Sequence, residues 1–320
     1  MRIVILDDKT LQMGNESPWI ALGALGEWIA YDSTPAELVL ERSVDADVLV
    51  VNKVVLDAGI IGALPRLKCI AVTAAGTNVV DGEAAKKRGI PVCNTPAYGT
   101  DAVAQHVFAL LLEFCRRSSL HDASIRRGDW ARRGDFCYWL TPQIELTGKT
   151  MGVYGYGNLG KRVAEIAHAF RMNVIACTHS PKPAPDFAPF EFVSGEELFK
   201  RADVISLHCP LTEETKGLVC GRTLALMKPG GIIVNTSRGG VVDSRDAAEA
   251  LRSGHLAGFC ADVLAKEPPA QDDPLLSAPN TLFTPHLAWA TNGARQNIID
   301  ITIENIRRFI SGTPQNVVNP

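Results

Sequence analysis

The sequence is poor in net charge, in aromatic residues and in long apolar runs. Its 320 residues carry a formal net charge of −3, and only 7% of them are aromatic. A charge so close to neutral gives no overall electrostatic reason to bind nucleic acid or an anionic membrane. No apolar run reaches the roughly 20 residues that a helix needs to cross a bilayer. The expected partners are therefore small molecules or other proteins, with no nucleic acid and no membrane.

The eight cysteines form no CxxC pair and no cluster with histidine at the spacing of metal ligands. Several stand in apolar runs, such as Cys69 in "CIAV" and Cys177 in "VIAC", which is typical of small buried hydrophobic residues. The first residues, "MRIVILDD", become acidic too early for a signal peptide. The sequence therefore predicts no metal site, reduced thiols and a cytoplasmic location.

The pattern of short β-rich runs and helical stretches predicts an α/β protein. With 46% hydrophobic residues the chain can bury a large core, and its length favours two domains. Five runs in the first third, "RIVIL", "EWIAY", "DVLVV", "KCIAV" and "IPVCN", alternate with helical segments, which indicates a mainly parallel sheet. Six further runs after residue 148 fit one complete doubly wound sheet. A buried helix is predicted over 101–118, with Asp101 as its N-cap.

A glycine-rich turn, "GVYGYGNLGKRVAEIA", matches GxGxxG at Gly155, Gly157 and Gly160. It follows a strand-like run and precedes a helical pattern, which makes the match specific. Glycine permits a tight turn and close approach of a pyrophosphate, and the helix N-terminus supplies free N–H groups and the positive end of its dipole. The turn therefore predicts a dinucleotide site.

The strand after this turn, "NVIACTHSPK", lacks the carboxylate that NAD-selective sites place on the adenosine ribose. Thr178 stands at that position, and His179, Ser180 and Lys182 follow it. Nothing there repels a 2′-phosphate, so we expect NAD or NADP as cofactor, with NADP tolerated.

Seven segments resemble the D-isomer-specific 2-hydroxyacid dehydrogenase family over essentially the whole chain. They are "AAGTNVVD", "NTPAYGTDAVAQ", "YGYGNLG", "SLHCPLTEET", "LMKPGGIIVNTSRGGVVD", "ADVLAKEPP" and "TPHLAWAT". Within the family, "NKVVLD", "NTPAYGT" and "DFCYW" are similar to the glycerate dehydrogenase (hydroxypyruvate reductase) group. The resemblance implies hydride transfer between a nicotinamide cofactor and a small D-2-hydroxy acid, with hydroxypyruvate/D-glycerate or glyoxylate/glycolate as the expected pairs.

The resemblance also implies the fold and the domain boundaries. It implies two doubly wound parallel-sheet α/β domains, a Rossmann nucleotide-binding domain (100–289) inserted in a flavodoxin-like substrate domain (1–99 and 290–320). The substrate cleft would lie between the domains, and homodimerisation through the nucleotide domain is expected.

Three residues take catalytic roles by motif match. Arg238 in "NTSRGG" would bind the carboxylate and carbonyl of a 2-oxo acid with its guanidinium fork. His286 in "TPHLAWAT" would protonate the carbonyl oxygen, and Glu267 in "AKEPP" would orient that histidine and stabilise its imidazolium. The alternatives are a surface arginine, a structural histidine and an exposed glutamate before two prolines.

Substrate contacts are predicted at two strand ends of the first domain, besides Arg238 and His286. The backbone amides of Ala75 and Gly76 in "TAAGTN" would hold the substrate carboxylate. Asn52 and Lys53 in "VVNKVV" either touch a substrate hydroxyl or only cap the following helix.

The family match distributes the remaining cofactor contacts along the second α/β series. Asp262 would accept from the nicotinamide carboxamide, or else cap a helix after "FCA". The other positions are Asn158 and Leu159 at the pyrophosphate, Thr178, His179, Cys209, Pro210 and Thr215 at the adenosine, Thr236 and Ser237 near the nicotinamide, and Val103 beneath its ring.

The stretch "RRGDWARRGDFCYW" is the most basic and aromatic part of the chain. Its interleaved aspartates favour a dimer arm or a surface segment over a nucleic-acid site. Trp139 at its end is a candidate for the substrate pocket. Trp289 in "AWAT" either shapes the pocket or only packs the hinge.

Two features separate the sequence from its relatives, and other functions share the fold. Arg171 stands where relatives commonly have glycine, at a cost of up to ~1 kcal/mol if the backbone is left-handed there. "TAAGTN" has smaller residues than is usual, which indicates a roomier pocket. A dinucleotide-sensing corepressor is the main alternative function, and formate or phosphite oxidation is a third.

Overall fold

The computed structural model describes residues 1–14 and 17–320, which divide into two compact units. The first unit comprises Met1–Gly99 and Trp289–Pro320, and the second comprises Thr100–Ala288. Each unit is built on one parallel β-sheet with a hydrophobic cluster on each face. In the second unit, for example, Val204 points into one cluster and the adjacent Ile205 into the other. Both faces of each sheet are therefore buried, as continuous apolar strands require.

The sheet of the first unit has five parallel strands in the order β2-β1-β3-β4-β5, which is the flavodoxin-like order. All five strands predicted for this part of the chain are present. They are β1 (Arg2–Ile5), β2 (Glu27–Ala30), β3 (Val48–Val51), β4 (Cys69–Val72) and β5 (Val92–Cys93). The helices are α1 (Val39–Ser43), α2 (Ala58–Gly62), α3 (Gly82–Lys87) and, from the end of the chain, α11 (Asn292–Ile310), with 3-10 turns at Ile20–Ala24 and Ala36–Leu38.

The sheet of the second unit has seven parallel strands in the order β12-β11-β10-β9-β6-β7-β8. They are β6 (Thr150–Tyr154), β7 (Asn173–Cys177), β8 (Phe190–Phe192), β9 (Val204–Leu207), β10 (Gly231–Asn235), β11 (Leu256–Ala261) and β12 (Thr281–Phe283). The six predicted runs are all strands, and β8 is an addition. Its three residues, "FEF", follow a proline-rich loop and pair only with β7, so the sequence offered too short a run to recognise.

The helices of the second unit include the long buried helix that the sequence predicts. They are α4 (Thr100–Arg116), α5 (Ser118–Arg126), α6 (Asp129–Arg133), α7 (Asn158–Ala169), α8 (Gly195–Arg201), α9 (Gly221–Leu224) and α10 (Ser244–Arg252), with a 3-10 turn at Gly239–Val241. The N-cap assignment is wrong, because α4 begins at Thr100 and Asp101 lies inside its first turn. There Asp101 accepts a 2.7 Å hydrogen bond from Arg162. No helix in the described ranges is long and apolar enough to cross a membrane.

Two other expectations about single residues can be checked. Arg171 has φ 57, so it does adopt the left-handed conformation in which relatives carry glycine. The cysteines are all free thiols; five are buried, while Cys177 and Cys220 are half-buried and Cys137 is exposed. The prediction of small buried hydrophobic residues therefore holds for most of them and fails for Cys137, which lies in the exposed segment after α6.

Candidate active site

The three catalytic candidates follow the carboxyl ends of three neighbouring strands of the second unit. Arg238 comes three residues after β10, Glu267 six after β11 and His286 three after β12. Because β10, β11 and β12 are parallel and adjacent, their carboxyl ends share one edge of the sheet. Residues far apart in the chain are thereby gathered at the edge where α/β proteins bind ligands.

The closest contact in this group joins His286 to Glu267. His286 Nδ1 lies 2.5 Å from Glu267 Oε2, and the second carboxylate oxygen, Oε1, accepts the backbone N–H of Leu264 at 3.2 Å. A carboxylate can only accept, so Nδ1 carries the proton and donates it to Glu267. The two side chains are 35% and 38% exposed. The pair therefore fixes the tautomer and the orientation of the imidazole ring.

A close backbone contact brings the Arg238 loop onto the Glu267 loop. A methyl group on Gly239 would lie 1.9 Å from the carbonyl carbon of Leu264, so only glycine fits between the two loops. Gly239, the first glycine of "SRGG", thus has a packing reason, because it lets the arginine loop rest on the loop that leads to the glutamate. The spacing between these groups is fixed by backbone contact.

The Arg238 side chain is exposed, and among the described residues one of its nitrogens donates a hydrogen bond. Its Nη1 donates to the carbonyl of Ser237 at 2.8 Å, and Asn235 Nδ2 donates to the Arg238 carbonyl at 3.0 Å. No ion pair to Arg238 occurs among residues 1–14 and 17–320. The guanidinium therefore retains donors that a carboxylate can accept.

His286 has φ 53, in the left-handed region that non-glycine residues seldom adopt. Its N–H donates to the carbonyl of Asp262 at 2.8 Å. The Asp262 carboxylate, which is almost fully buried, accepts the amides of Leu287 at 2.9 Å and Ala288 at 2.8 Å. Asp262 therefore holds the turn that carries His286, and the alternative of a helix cap after "FCA" is wrong, since no helix begins there.

The glycine-rich turn has the shape that a dinucleotide needs. Gly155 has φ 102 and lies so close to the next loop that a methyl group would be 2.7 Å from the His208 backbone. A methyl on Gly160 would lie 2.0 Å from the carbonyl oxygen of Gly155, whereas one on Gly157 would meet no protein atom within 4 Å. The first and third glycines are thus required by the protein, and the space at Gly157, the N-cap of α7, is available to a ligand.

Buried polar atoms without partners lie after the neighbouring strands. His208 Nδ1, after β9, and Thr236 Oγ1, after β10, are buried and unbonded within the described ranges. Burial lowers the pKa of His208 to about 3, so its ring is neutral. Such orphaned atoms on a ligand-binding edge are expected where a bound group supplies the missing partners. The residues at this edge therefore fit a dinucleotide.

The other predicted cofactor residues occupy the same edge. Thr178 follows β7, and its Oγ1 donates to the Ser180 carbonyl at 3.0 Å. The residues directly after β7 include no carboxylate. Thr215 donates to the Pro210 carbonyl at 2.6 Å, so two of the predicted adenosine residues are in contact. The remaining positions are Asn158 and Leu159 in the first turn of α7, exposed His179, buried Cys209 and Ser237, and half-buried Val103 near the start of α4.

In the first unit, Asn52 and Lys53 are held by a carboxylate that sequence reasoning missed. Asp7, after β1, accepts the backbone amides of Asn52 at 2.8 Å, Lys53 at 2.5 Å and Val54 at 3.1 Å. Burial is the main cause that raises the pKa of Asp7, although these amides oppose the shift. The helix-cap alternative for Asn52 and Lys53 is wrong, because α2 is capped by Asp57. The only signal was an aspartate directly after a buried strand.

The loop after β4 presents two backbone amides without acceptors. Ala75 is exposed and Gly76 is half-buried, and neither N–H is bonded among the described residues. The Ala75 carbonyl accepts from Asn94 at 2.8 Å, which holds the loop in place. These unbonded amides are suited to an anionic oxygen.

The two tryptophans left open by the sequence lie in different surroundings. Trp139, after α6, is 69% exposed and lines a surface pocket of about 580 Å³ with Arg116, His121 and Tyr138. Trp289 packs edge-on against Tyr98 with ring centroids 6.4 Å apart. Trp289 is therefore a packed residue of the first unit.

Comparison with known proteins identifies the family. The family model for the NAD-binding domain of D-isomer specific 2-hydroxyacid dehydrogenases matches residues 108–288, which is more than half of the chain. A hydroxypyruvate reductase of Blautia hydrogenotrophica is 42% identical over the full length of both chains. The chain belongs to the D-isomer specific 2-hydroxyacid dehydrogenase family.

Two further relatives of this dehydrogenase agree with that assignment. A glycerate dehydrogenase of Methylorubrum extorquens is 40% identical over 91% of this chain and 92% of its own. The crystal structure of an NADPH-dependent glyoxylate/hydroxypyruvate reductase from Sinorhizobium meliloti, in complex with citrate, has a TM-score of 0.86 at 28% identity and covers 100% of this chain and 98% of its own. The chain is thus an NAD(P)-dependent oxidoreductase of 2-hydroxy acids, and a purely dinucleotide-sensing role is not favoured.

Substitution of the glycines separates the protein's own needs from those of the cofactor. Because a methyl on Gly157 meets no protein atom, Gly157→Ala should leave the free energy of unfolding within about 0.5 kcal/mol of wild type. It should nevertheless weaken binding of NADH and NADPH by about 10-fold or more, because the methyl occupies the space of the pyrophosphate. Denaturant unfolding and fluorescence titration measure the two quantities.

Gly160→Ala is the matched control. Its methyl would clash with the Gly155 carbonyl, so it should lower the free energy of unfolding by roughly 1–3 kcal/mol. Wild-type dinucleotide affinity in Gly157→Ala would contradict the assignment of this turn.

Proposed function

We propose that the protein reduces small 2-oxo acids, with hydroxypyruvate and glyoxylate as substrates and D-glycerate and glycolate as products. The observation that carries the proposal is the 2.5 Å pair of His286 and Glu267 beside the Arg238 loop. His286 is the proton donor and Arg238 is the anion-binding group, and both lie at one edge of a dinucleotide-binding sheet. The names of the relatives, which include hydroxypyruvate reductase and glycerate dehydrogenase, support this choice of substrates.

We propose that the two units have different roles in the reaction. The second unit would hold the dinucleotide at the glycine-rich turn and carry the three catalytic residues, and the first unit would bind the substrate. The backbone N–H groups of Ala75 and Gly76 would donate to the substrate carboxylate. Arg238 would donate to the carboxylate and to the carbonyl oxygen, which polarises the carbonyl.

The proton moves at His286. When bound, the nicotinamide dinucleotide supplies the hydride for reduction and takes it up in oxidation. As negative charge develops on the carbonyl oxygen, the imidazolium donates its Nε2 proton. The neutral ring keeps the proton on Nδ1, which continues to donate to Glu267. A positioned acid of this kind contributes roughly 10²–10⁴-fold to the rate. Glu267 accepts from Nδ1, and so orients the ring and stabilises the imidazolium.

Two substitutions test this pair. His286→Ala should lower kcat for hydroxypyruvate by about 10²-fold or more. Glu267→Gln removes the negative charge that stabilises the imidazolium, so it should lower kcat for hydroxypyruvate by about 10-fold or more. Initial rates with hydroxypyruvate, glyoxylate, pyruvate and ketogluconate at several pH values provide the measurement.

The same assay can reject the proposal. Wild-type kcat in Glu267→Gln would reject the role of the pair. Absence of turnover with all four acids and both cofactors, in wild-type protein that binds dinucleotide, would favour the sensing function instead.

We further propose that NADP is accepted alongside NAD. The support is that Thr178 occupies the end of β7 with a side chain bonded only to the Ser180 carbonyl within the described ranges, while Lys182 follows nearby. A 2′-phosphate meets no carboxylate at Thr178, His179 or Ser180. The relative from Sinorhizobium meliloti is described as NADPH-dependent.

Replacement of Thr178 by an acidic residue should shift the choice of cofactor. In Thr178→Asp the carboxylate repels the 2′-phosphate, so kcat/KM for NADPH should fall by about 10-fold or more relative to NADH. Thr178→Ser keeps the hydroxyl and should keep the wild-type ratio. A wild-type NADH/NADPH ratio of specificity constants far above unity would show that Thr178 does not set the choice.

We propose a homodimer that uses the arm formed by residues 118–140 in the second unit. This arm exposes large apolar side chains that a monomer would leave in water. They are Leu120, Ile125, Trp130, Phe136, Trp139 and Leu140, with Phe136 93% exposed. In this assembly Trp139 would approach the partner's substrate site.

A charge in the arm should weaken the dimer. Phe136→Asp should increase the monomer fraction at micromolar concentration in sedimentation velocity, because a carboxylate buried in an apolar interface is costly. Val44→Asp, at an exposed apolar position of the first unit, should sediment like wild type. A wild-type protein that sediments as a monomer would rule out the arm as an interface.

We also propose that the protein works in the cytoplasm. The support is chemical: the eight cysteines are all free thiols, and one of them, Cys137, is exposed. Exposed free thiols persist in reducing compartments.

A further inference from the structure

Behind the His286 turn lies a second histidine that the mechanism above does not use. His106 is on α4, with 16% of its side chain exposed. Its Nε2 lies 2.9 Å from Thr284 Oγ1 and 3.6 Å from Asp262 Oδ1. Thr284 Oγ1 in turn donates to Asp262 Oδ1 at 2.5 Å. These contacts form a chain from the helix to the carboxylate that holds the His286 turn.

The direction of each hydrogen bond follows from what each group can donate. The Asp262 carboxylate only accepts, so the single proton of the Thr284 hydroxyl is committed to it. Thr284 Oγ1 must then accept from His106, and the proton of His106 therefore resides on Nε2. Burial lowers the pKa of His106 more than the charge of Asp262 raises it, so the ring is a neutral donor at neutral pH.

We propose that His106 is a positioning residue for the acid His286. Its Nε2 proton orients the Thr284 hydroxyl toward Asp262, and the Asp262 carboxylate then accepts the Leu287 and Ala288 amides. Those two amides directly follow His286, whose backbone is left-handed. This series of hydrogen bonds thus stabilises a backbone conformation that is unfavourable for histidine. That conformation sets where the imidazole of His286 lies. The inference rests on the proposed role of His286 as the acid.

The experiment compares three variants of similar size. His106→Leu removes the donor, whereas His106→Gln places an amide N–H close to the position of Nε2. His255→Leu is the matched control, because His255 precedes β11 as Asp262 follows it, and its part-buried Nε2 bonds the Leu224 carbonyl at 2.9 Å. His255→Leu therefore removes a comparable hydrogen bond at the opposite end of the same strand.

Two readouts are expected to separate these variants. His106→Leu should lower kcat for hydroxypyruvate by about 10-fold, with the KM for cofactor changed by less than about 2-fold, because small misplacement of an acid costs turnover more than binding. Its Leu287 and Ala288 amides should exchange hydrogen faster in mass spectrometry. His106→Gln should stay within about 3-fold of wild type in kcat, and His255→Leu should retain wild-type kcat and exchange at these two amides.

A double substitution checks that the residues act as one chain. Thr284→Val removes both hydrogen bonds, so adding His106→Leu to it should lower kcat no further than Thr284→Val alone. Fully additive losses would overturn the proposal.

The proposal is also overturned if His106→Leu keeps wild-type kcat and amide exchange, or if His106→Gln is as impaired as His106→Leu. Should wild-type protein reduce no 2-oxo acid at all, the proposed function fails. The exchange of the Leu287 and Ala288 amides, which needs no turnover, still decides whether His106 positions the turn.

Discussion

The carboxylate of Asp262 connects the sheet of the second unit to the turn that carries His286. It stands at the end of β11, is almost fully buried, and accepts one hydroxyl and two backbone amides. A buried carboxylate must be well bonded, because an unpaired one costs several kcal/mol. The chain satisfies this requirement by wrapping the segment after β12 around the carboxylate. The turn that positions His286 therefore also supplies the hydrogen bonds that the buried Asp262 carboxylate needs.

Neighbouring loops reinforce this arrangement by contact. Glu267 reaches His286 from the loop after β11, and the Arg238 loop rests on that same loop because residue 239 has no side chain. A rigid parallel sheet fixes where each loop begins, and short backbone contacts fix where it goes. The site thus has the support from packed elements that precise positioning of reacting groups requires.

Much of this could be predicted from the sequence, since it depends on local signals. Alternating apolar runs identify eleven of the twelve strands found in residues 1–14 and 17–320, and the flanks of Gly155, Gly157 and Gly160 identify the nucleotide turn. Motifs near Arg238, Glu267 and His286 mark the catalytic candidates. The rest depends on contacts between distant residues. Asp7 bonds amides 45 to 47 positions away, and His106 meets Thr284 across 178 positions. The strand β8 pairs at one edge only, and nothing in its three residues identifies it beforehand.

Thr178 and His286 follow strands that are far apart in the sheet of the second unit. Thr178 follows β7 and His286 follows β12, and five strand spacings of ~4.8 Å put these two strands about 24 Å apart across the sheet. Among the described residues, Thr178 Oγ1 bonds the Ser180 carbonyl and no group that contacts His286. With the proposed roles, a substitution at Thr178 would change the choice of cofactor without displacing any group that holds His286, so the two properties can be altered independently.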